Sequence, residues 1–252
     1  MAASNVSGLA GSKGAGLAIM AGFVLTLIAS FFAPGSMLID PVDQTDFAKT
    51  IDVMANHASL AHAMTFLVIV AMFLYAYGVL PLFRLPNRQG GLASPALRFG
   101  LIMSLFGWGI FIIGMGKRHM IVHLMQRSMQ AEAAPEMQAE FQTLAVATYA
   151  DMAGIFLAFL TVYPFSSMLL GLALAARFSG ISVYRLAAYG LVVIGVAGLV
   201  NFLVVQHVPG VDISVLLPLH STLLLIGGVC LYLIGLGMYL GRSELMPEGS
   251  SG

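Results

Sequence analysis

Apolar residues run along this chain in long unbroken blocks separated by short polar stretches. Six blocks approach or exceed the about 20 residues that a helix needs to cross a hydrocarbon core of about 30 Å. They are Leu17–Phe32, Ala58–Phe83, Phe99–Gly116, Leu144–Ala176, Leu186–Val205 and Val215–Leu240. Apolar side chains occupy every face of each block. The pattern is therefore neither the alternation of a barrel strand nor the single stripe of a helix on a soluble core. The first block is short and recruits flanking Gly and Ala to reach across. The fourth is too long for one straight crossing, so its beginning is expected to rise out of the bilayer. The prediction is all-α: a polytopic membrane bundle of six transmembrane helices, one domain over residues 1–243, with a loose polar tail over 244–252.

Composition agrees. Of the 252 residues 59% are apolar and 9% charged, against about 45–50% and about 25% in soluble domains. Eleven basic and eleven acidic residues cancel, so no global charge points to nucleic acid. A single cysteine, Cys230, excludes an internal disulfide, a Cys-rich zinc site and a C-x-x-C-H haem attachment. No G-x-S-x-G, H-E-x-x-H, P-loop or dinucleotide fingerprint is present, and no catalytic residue is assigned. The first block has a second reading as a signal peptide, with Lys13 before it and Ala33-Pro34-Gly35 after it. The long n-region and the proline at the cleavage position favour a membrane anchor.

Charge sets the orientation. If all six blocks cross, one side holds Lys13, Arg84, Arg88, Arg98, Arg177, Arg185 and Arg242, opposed only by Glu244 and Glu248. The other side holds Lys49, Lys117, Arg118 and Arg127 against nine acids, in loops near 34–57, 117–143 and 206–214. Short Arg-rich loops stay in the cytoplasm, which predicts both termini there and the acidic loops outside. Residues Arg127–Gln142 read as a helical segment interrupted by Pro135, with Glu132, Glu136 and Glu140 on one exposed face. Gly107/Gly109 and Gly227/Gly228 read as close-packing pairs, since small residues let helices approach in lipid.

The candidate chemistry lies at the outward end. All six histidines fall there: His57, His62, His119, His123, His207 and His220. Four of them sit 21 or 22 residues from a basic residue at the opposite end of the same span, about 32–33 Å at helical rise. His62, His119, His207 and His220 thus share one depth on four helices, and His123 lies one turn beyond His119 on the same face. Bundles build metal and haem sites in this way. Asp151, the one acid inside an apolar run, sits beside the layer as a further ligand or an orienting group. Nine methionines share the same half: Met37, Met54, Met64, Met115, Met120, Met125, Met129, Met137 and Met152. Thioether with imidazole suits copper, and Cu(I) in particular.

The expectation is a copper centre drawn from His62, His119, His123, His207, His220 and Asp151, serving redox chemistry or copper handling. A first alternative is haem b clamped by two of His62, His119, His207 and His220, with Lys117 and Arg118 at the propionates. Such a cytochrome would pass electrons from membrane quinol to a periplasmic partner. A second alternative is a non-enzymatic transporter or assembly subunit, in which the polar layer is a gate or a partner surface. The bland reading also stands: an amphipathic histidine at an interface needs no ligand, and methionine in an apolar helix packs.

Several local features recur together: Asn56 to His62 at the start of the second span, then Leu74–Tyr75 and Leu82–Arg84 near its end. Arg98–Phe99 opens the third span and Asp151 begins the long fourth. In these the chain resembles a group of uncharacterised six-span bacterial membrane proteins. The resemblance implies a six-span fold in a bacterial inner membrane and carries no assigned activity.

Overall fold

The computed structural model describes residues 11–86, 92–130, 134–211 and 213–246. Seven α-helices account for nearly all of them: α1 (Ser12–Phe32), α2 (Phe47–Asn56), α3 (Ala58–Val79), α4 (Ala93–Ser128), α5 (Pro135–Ala175), α6 (Val183–His207) and α7 (Ile213–Tyr239). No strand occurs among the described residues. All except α2 are long and apolar enough to cross a membrane. The protein is an all-α bundle of six such helices.

The six long helices close into a ring. α1 packs on α3 and α7, α3 on α4, α4 on α5, α5 on α6 and α6 on α7. The outside of the ring is apolar as well. Phe99, Ile102, Phe106 and Ile113 of α4 are each more than half exposed, a surface suited to acyl chains. Because lipid is as apolar as a leucine, burial in the ring gains little from leaving the solvent, and close approach of backbones has to hold it. Glycine supplies that approach at two seams. A Cβ on Gly16 of α1 would strike the Gly235 carbonyl of α7, and one on Gly195 of α6 would lie 2.6 Å from the Pro164 carbonyl of α5. Of the glycine pairs named above, Gly227 and Gly228 do pack, against Tyr163 and Phe23, and Gly107 meets Val162. Gly109 faces open space and has no such role.

Two ends differ in their fittings. At the arginine end, Arg177 donates through Nη1 to the Pro86 carbonyl at 2.9 Å and through Nε to the Glu244 carbonyl at 2.8 Å. It thereby ties α5 to the segment after α3 and to the segment after α7. That last segment is not loose where it begins. Ser243–Leu245 form a 3-10 turn and Leu245 is fully buried, so a free tail can start only beyond Met246, outside the described residues.

The histidine end carries an added cap. With 36 and 41 residues, α4 and α5 run about 54 and 62 Å, some 20–30 Å more than a bilayer core requires. The projecting lengths pair, and α2 lies against both. The excess length expected of the fourth span is present. The helical segment expected over Arg127–Gln142 is present in part: α4 ends at Ser128, and Pro135 opens α5 at its first turn, so the break falls before the proline. Proline is favoured there because its missing N–H would have no partner anyway. Glu132 lies outside the described residues. The stretch near 34–57 is also more than a loop. Asp46 caps α2 by accepting from the Lys49 N–H at 3.1 Å. Ile51, Met54 and Ala55 then enter a second apolar core with Ala61, Ile121, Val122, Leu124, Met125, Ala145, Tyr149 and Met152.

Candidate functional site

The histidine end brings together three imidazoles from two helices. His62, near the start of α3, meets His119 on α4 with the two Nδ1 atoms 2.8 Å apart. The rings are nearly parallel, 5.0 Å between centroids. His123, one turn further along α4, lays its ring 4.9 Å from that of His62. A 2.8 Å contact between two imidazole nitrogens requires a hydrogen on one of them and a lone pair on the other, so the pair is matched as donor and acceptor. Nε2 of His62 is buried with no hydrogen-bond partner among the described residues. His62 and His119 are half-buried and His123 is exposed. The cluster is thus closed on the α3 side and open at His123.

Helix geometry explains the meeting. His119 and His123 are four apart and stack on one face of α4. α3 packs along that helix, and Ala61 beside His62 is fully buried in the cap core, which seats the start of α3 at the level of His119. The chain breaks helix at His57, between α2 and α3. That break turns His57 away, and its Nε2 lies 2.8 Å from Asp40 Oδ2. Asp40 is a non-glycine residue at positive φ (43°), a conformation that aspartate tolerates better than most residues.

Beneath the loop joining α1 to α2 lies Arg118. Its Nη2 donates to the Pro34 carbonyl over 3.5 Å, and its Nε is buried with no partner among the described residues. Tyr149 and His119 are its titratable neighbours. Tyr149 in turn donates to the Gln44 carbonyl at 3.4 Å. In the same loop Asp43 accepts from both the backbone N–H and the hydroxyl of Thr45, at 2.9 and 2.8 Å. Those two bonds, the backbone one foremost, hold its carboxyl below the ordinary aspartate range.

No family model, curated protein or solved structure matches the chain. The reading of the site therefore rests on its own chemistry.

The expected single layer of histidines is only partly assembled. His207 ends α6 exposed, its Nδ1 3.1 Å from the carbonyl of Leu203 one turn back. His220 is buried in α7, near Gly198, with its Nε2 unpartnered among the described residues. Neither joins the His62 cluster. Asp151 does not turn to the histidines. It sits on the exposed side of α5 and accepts from Lys117 Nζ at 3.4 Å. Among the described residues no three His, Cys, Asp or Glu side chains are arranged to hold a metal ion.

The methionines divide in the same way. Met54, Met125 and Met152 are core residues of the cap, and Met37, Met120, Met129 and Met137 lie on its surface. Met115 is buried one turn below His119, Met120 lies one turn before His123 on the exposed side, and Met64, two residues from His62, is half-buried. A haem clamp between His62 and His119 would need a gap for the porphyrin, and these rings are in contact. Sequence reasoning gave Arg118 only a propionate role and missed its burial. Its position next to His119, just past the apolar block, was the available signal.

Proposed function

We propose that this integral membrane protein binds a transition-metal ion, copper by preference, at His62, His119 and His123, for redox chemistry or copper handling at the outer face of a bacterial inner membrane. The observation that supports the reading is the meeting of three imidazoles at the end of a membrane bundle, with one edge of the cluster open. Imidazole is the commonest metal ligand near neutral pH. Three or four ligands about 2.0 Å from one ion stand roughly 3.3–3.5 Å apart, so binding would displace the shared hydrogen and open the two Nδ1 atoms from 2.8 Å by well under an ångström. His123 would supply a third nitrogen. Arg118 beside the cluster raises the cost of a doubly charged ion, which favours Cu(I) over Zn²⁺. Membrane quinol or a redox protein outside the membrane would be the exchange partner for such a centre.

The test is metal content and optical spectra on one sample of mildly purified full-length protein, before and after titration with Cu(I) under reducing conditions. Near-stoichiometric copper is expected, reduced at least tenfold by His119→Ala with His123→Ala. A wild-type protein that stays metal-free after titration overturns the copper reading. A Soret band lost with His62→Ala would replace it with haem. The sidedness is tested separately. A cysteine in place of exposed Val208, in a Cys230→Ser background, is expected to react with an impermeant thiol reagent in intact cells. Labelling only after the membrane is broken would put the histidine end in the cytoplasm. Gly210 is the poorer probe position, because its φ of 80° would strain a side chain.

A further inference from the structure

A guanidinium whose Nε is closed off from solvent is costly without a counter-charge, and part-buried Arg118 finds none among the described residues. Among the described residues no carboxylate lies within ion-pair distance of it; the acids that make such pairs are Asp40 with His57, Asp151 with Lys117 and Glu244 with Arg242. Asp43 and Asp46, both exposed, turn Oδ1 to local donors in the loop and the start of α2 and make no ion pair with Arg118. Arg118 reaches the Pro34 carbonyl at a long 3.5 Å, with Tyr149 and His119 as its titratable neighbours. One carbonyl takes part of one Nη, and the buried Nε has no acceptor among the described residues.

We propose that Arg118 is the anchor of an oxyanion site at the histidine end, taking a phosphate-type group. The Nε and an adjacent Nη form one edge of the guanidinium fork, which two oxygens of a single phosphate accept in parallel. The neighbouring His119 presents no negative charge to oppose an anion. The site lies just past the apolar block of α4, at the depth of the bilayer interface, so the phosphate can belong to a lipid headgroup or be free in solution. Arg118 does not ligate the proposed metal, and the anion site stands whether or not copper binds.

The experiment uses the full-length protein in maltoside micelles, which carry no phosphate, with a chelator present to exclude metal. Thermal unfolding is followed with inorganic phosphate against chloride at equal ionic strength, and with added phosphatidylglycerol against an uncharged diacylglycerol. We expect the wild-type midpoint to rise by several degrees with one of the two phosphate sources. A response to inorganic phosphate assigns a soluble anion, and a response to phosphatidylglycerol alone assigns a lipid headgroup. Arg118→Gln is expected to abolish the rise, and Arg118→Lys to keep a smaller part of it. Arg118→Gln should also cost little in phosphate-free micelles, where the wild type carries an uncompensated charge. No response of the wild type to either source overturns the proposal, as does an equal response in Arg118→Gln. If that variant does not fold, calorimetric phosphate affinity of Arg118→Lys at least tenfold below wild type supports the site, and equal affinity overturns it.

Discussion

The membrane ring and the cap at the histidine end are held together differently. In both regions hydroxyls bond the carbonyl one turn back, as Thr50 does to Asp46 and Thr148 to Leu144 in the cap. In the ring Thr26 donates to Gly22, Thr65 to Ala61 and Ser104 to Gly100, each to the carbonyl one turn back at 2.6–2.9 Å. What the cap adds is larger polar side chains that reach across elements: His62 to His119, His57 to Asp40, Tyr149 to Gln44 and Arg118 to Pro34. The physics explains the split. In hydrocarbon a side chain has no water to fall back on, so the cheapest bond is the guaranteed one on its own helix. At the interface water is at hand, so long-range polar contacts can form and exchange. A binding site needs groups that can change partners, and the cap has them.

The comparison predicts unequal responses to substitution. The largest is expected in the ring. Gly195→Leu pushes a side chain into the Pro164 carbonyl and the Met168 backbone N, 2.6 and 2.8 Å from where its Cβ would stand. Backbone cannot yield as a flexible side chain can, so the cost should exceed the about 1–3 kcal/mol usual for overpacking. Loss of the monodisperse peak in detergent chromatography is the expected result. Wild-type behaviour would show that the α5–α6 seam is looser than described.

The next effect belongs to the cap. Met54 of α2 is only 1% exposed, in a core separate from that of the ring. Met54→Ala should cost about 2–5 kcal/mol locally. The signature is faster hydrogen exchange and proteolysis over 34–57, with protection of α6 and α7 unchanged. If both regions loosen together, the cap and the ring are one cooperative unit and the distinction fails.

The sequence made the ring legible and the cap only in part. Hydropathy finds spans because every face of such a helix must be apolar, and all six were found. α2 hid in an acidic stretch. Its signal was the i, i+4, i+7, i+8 spacing of Phe47, Ile51, Met54 and Ala55 after a capping Asp46. Counting residues from the arginines gave histidine depth but not azimuth, since depth is a sum of helical rises and azimuth depends on which neighbour a helix packs against. His62 and His119, placed at one depth by that count, meet side by side, while His207 ends α6 exposed. Asp151 was read as an interior acid because apolar residues flank it, yet a projecting helix can be apolar on one side and carry an exposed ion pair on the other.

The smallest expected effect sharpens the comparison through pH. Asp43 is fully exposed, and its two bonds from Thr45 hold its carboxyl below the ordinary value of 3.8. Folding therefore favours its ionised form, and the contribution is complete above that ordinary value. It fades as pH falls through the lower folded value, because protonation then removes the acceptor in the folded state as well. Between pH 7 and pH 5 the exchange rate of the turn that leads into α2 should not change on this account. Below about pH 4 it should rise relative to the intrinsic amide rate, and Thr45→Ala should move that rise toward the ordinary aspartate value. Among the described residues the ring has no counterpart to this turn, so exchange at Gly195 or Gly235 should not follow the Thr45 substitution. A shift there of equal size would mean that the turn braces the ring as well as the cap, and the two regions would then share their stability through the loop between α1 and α2.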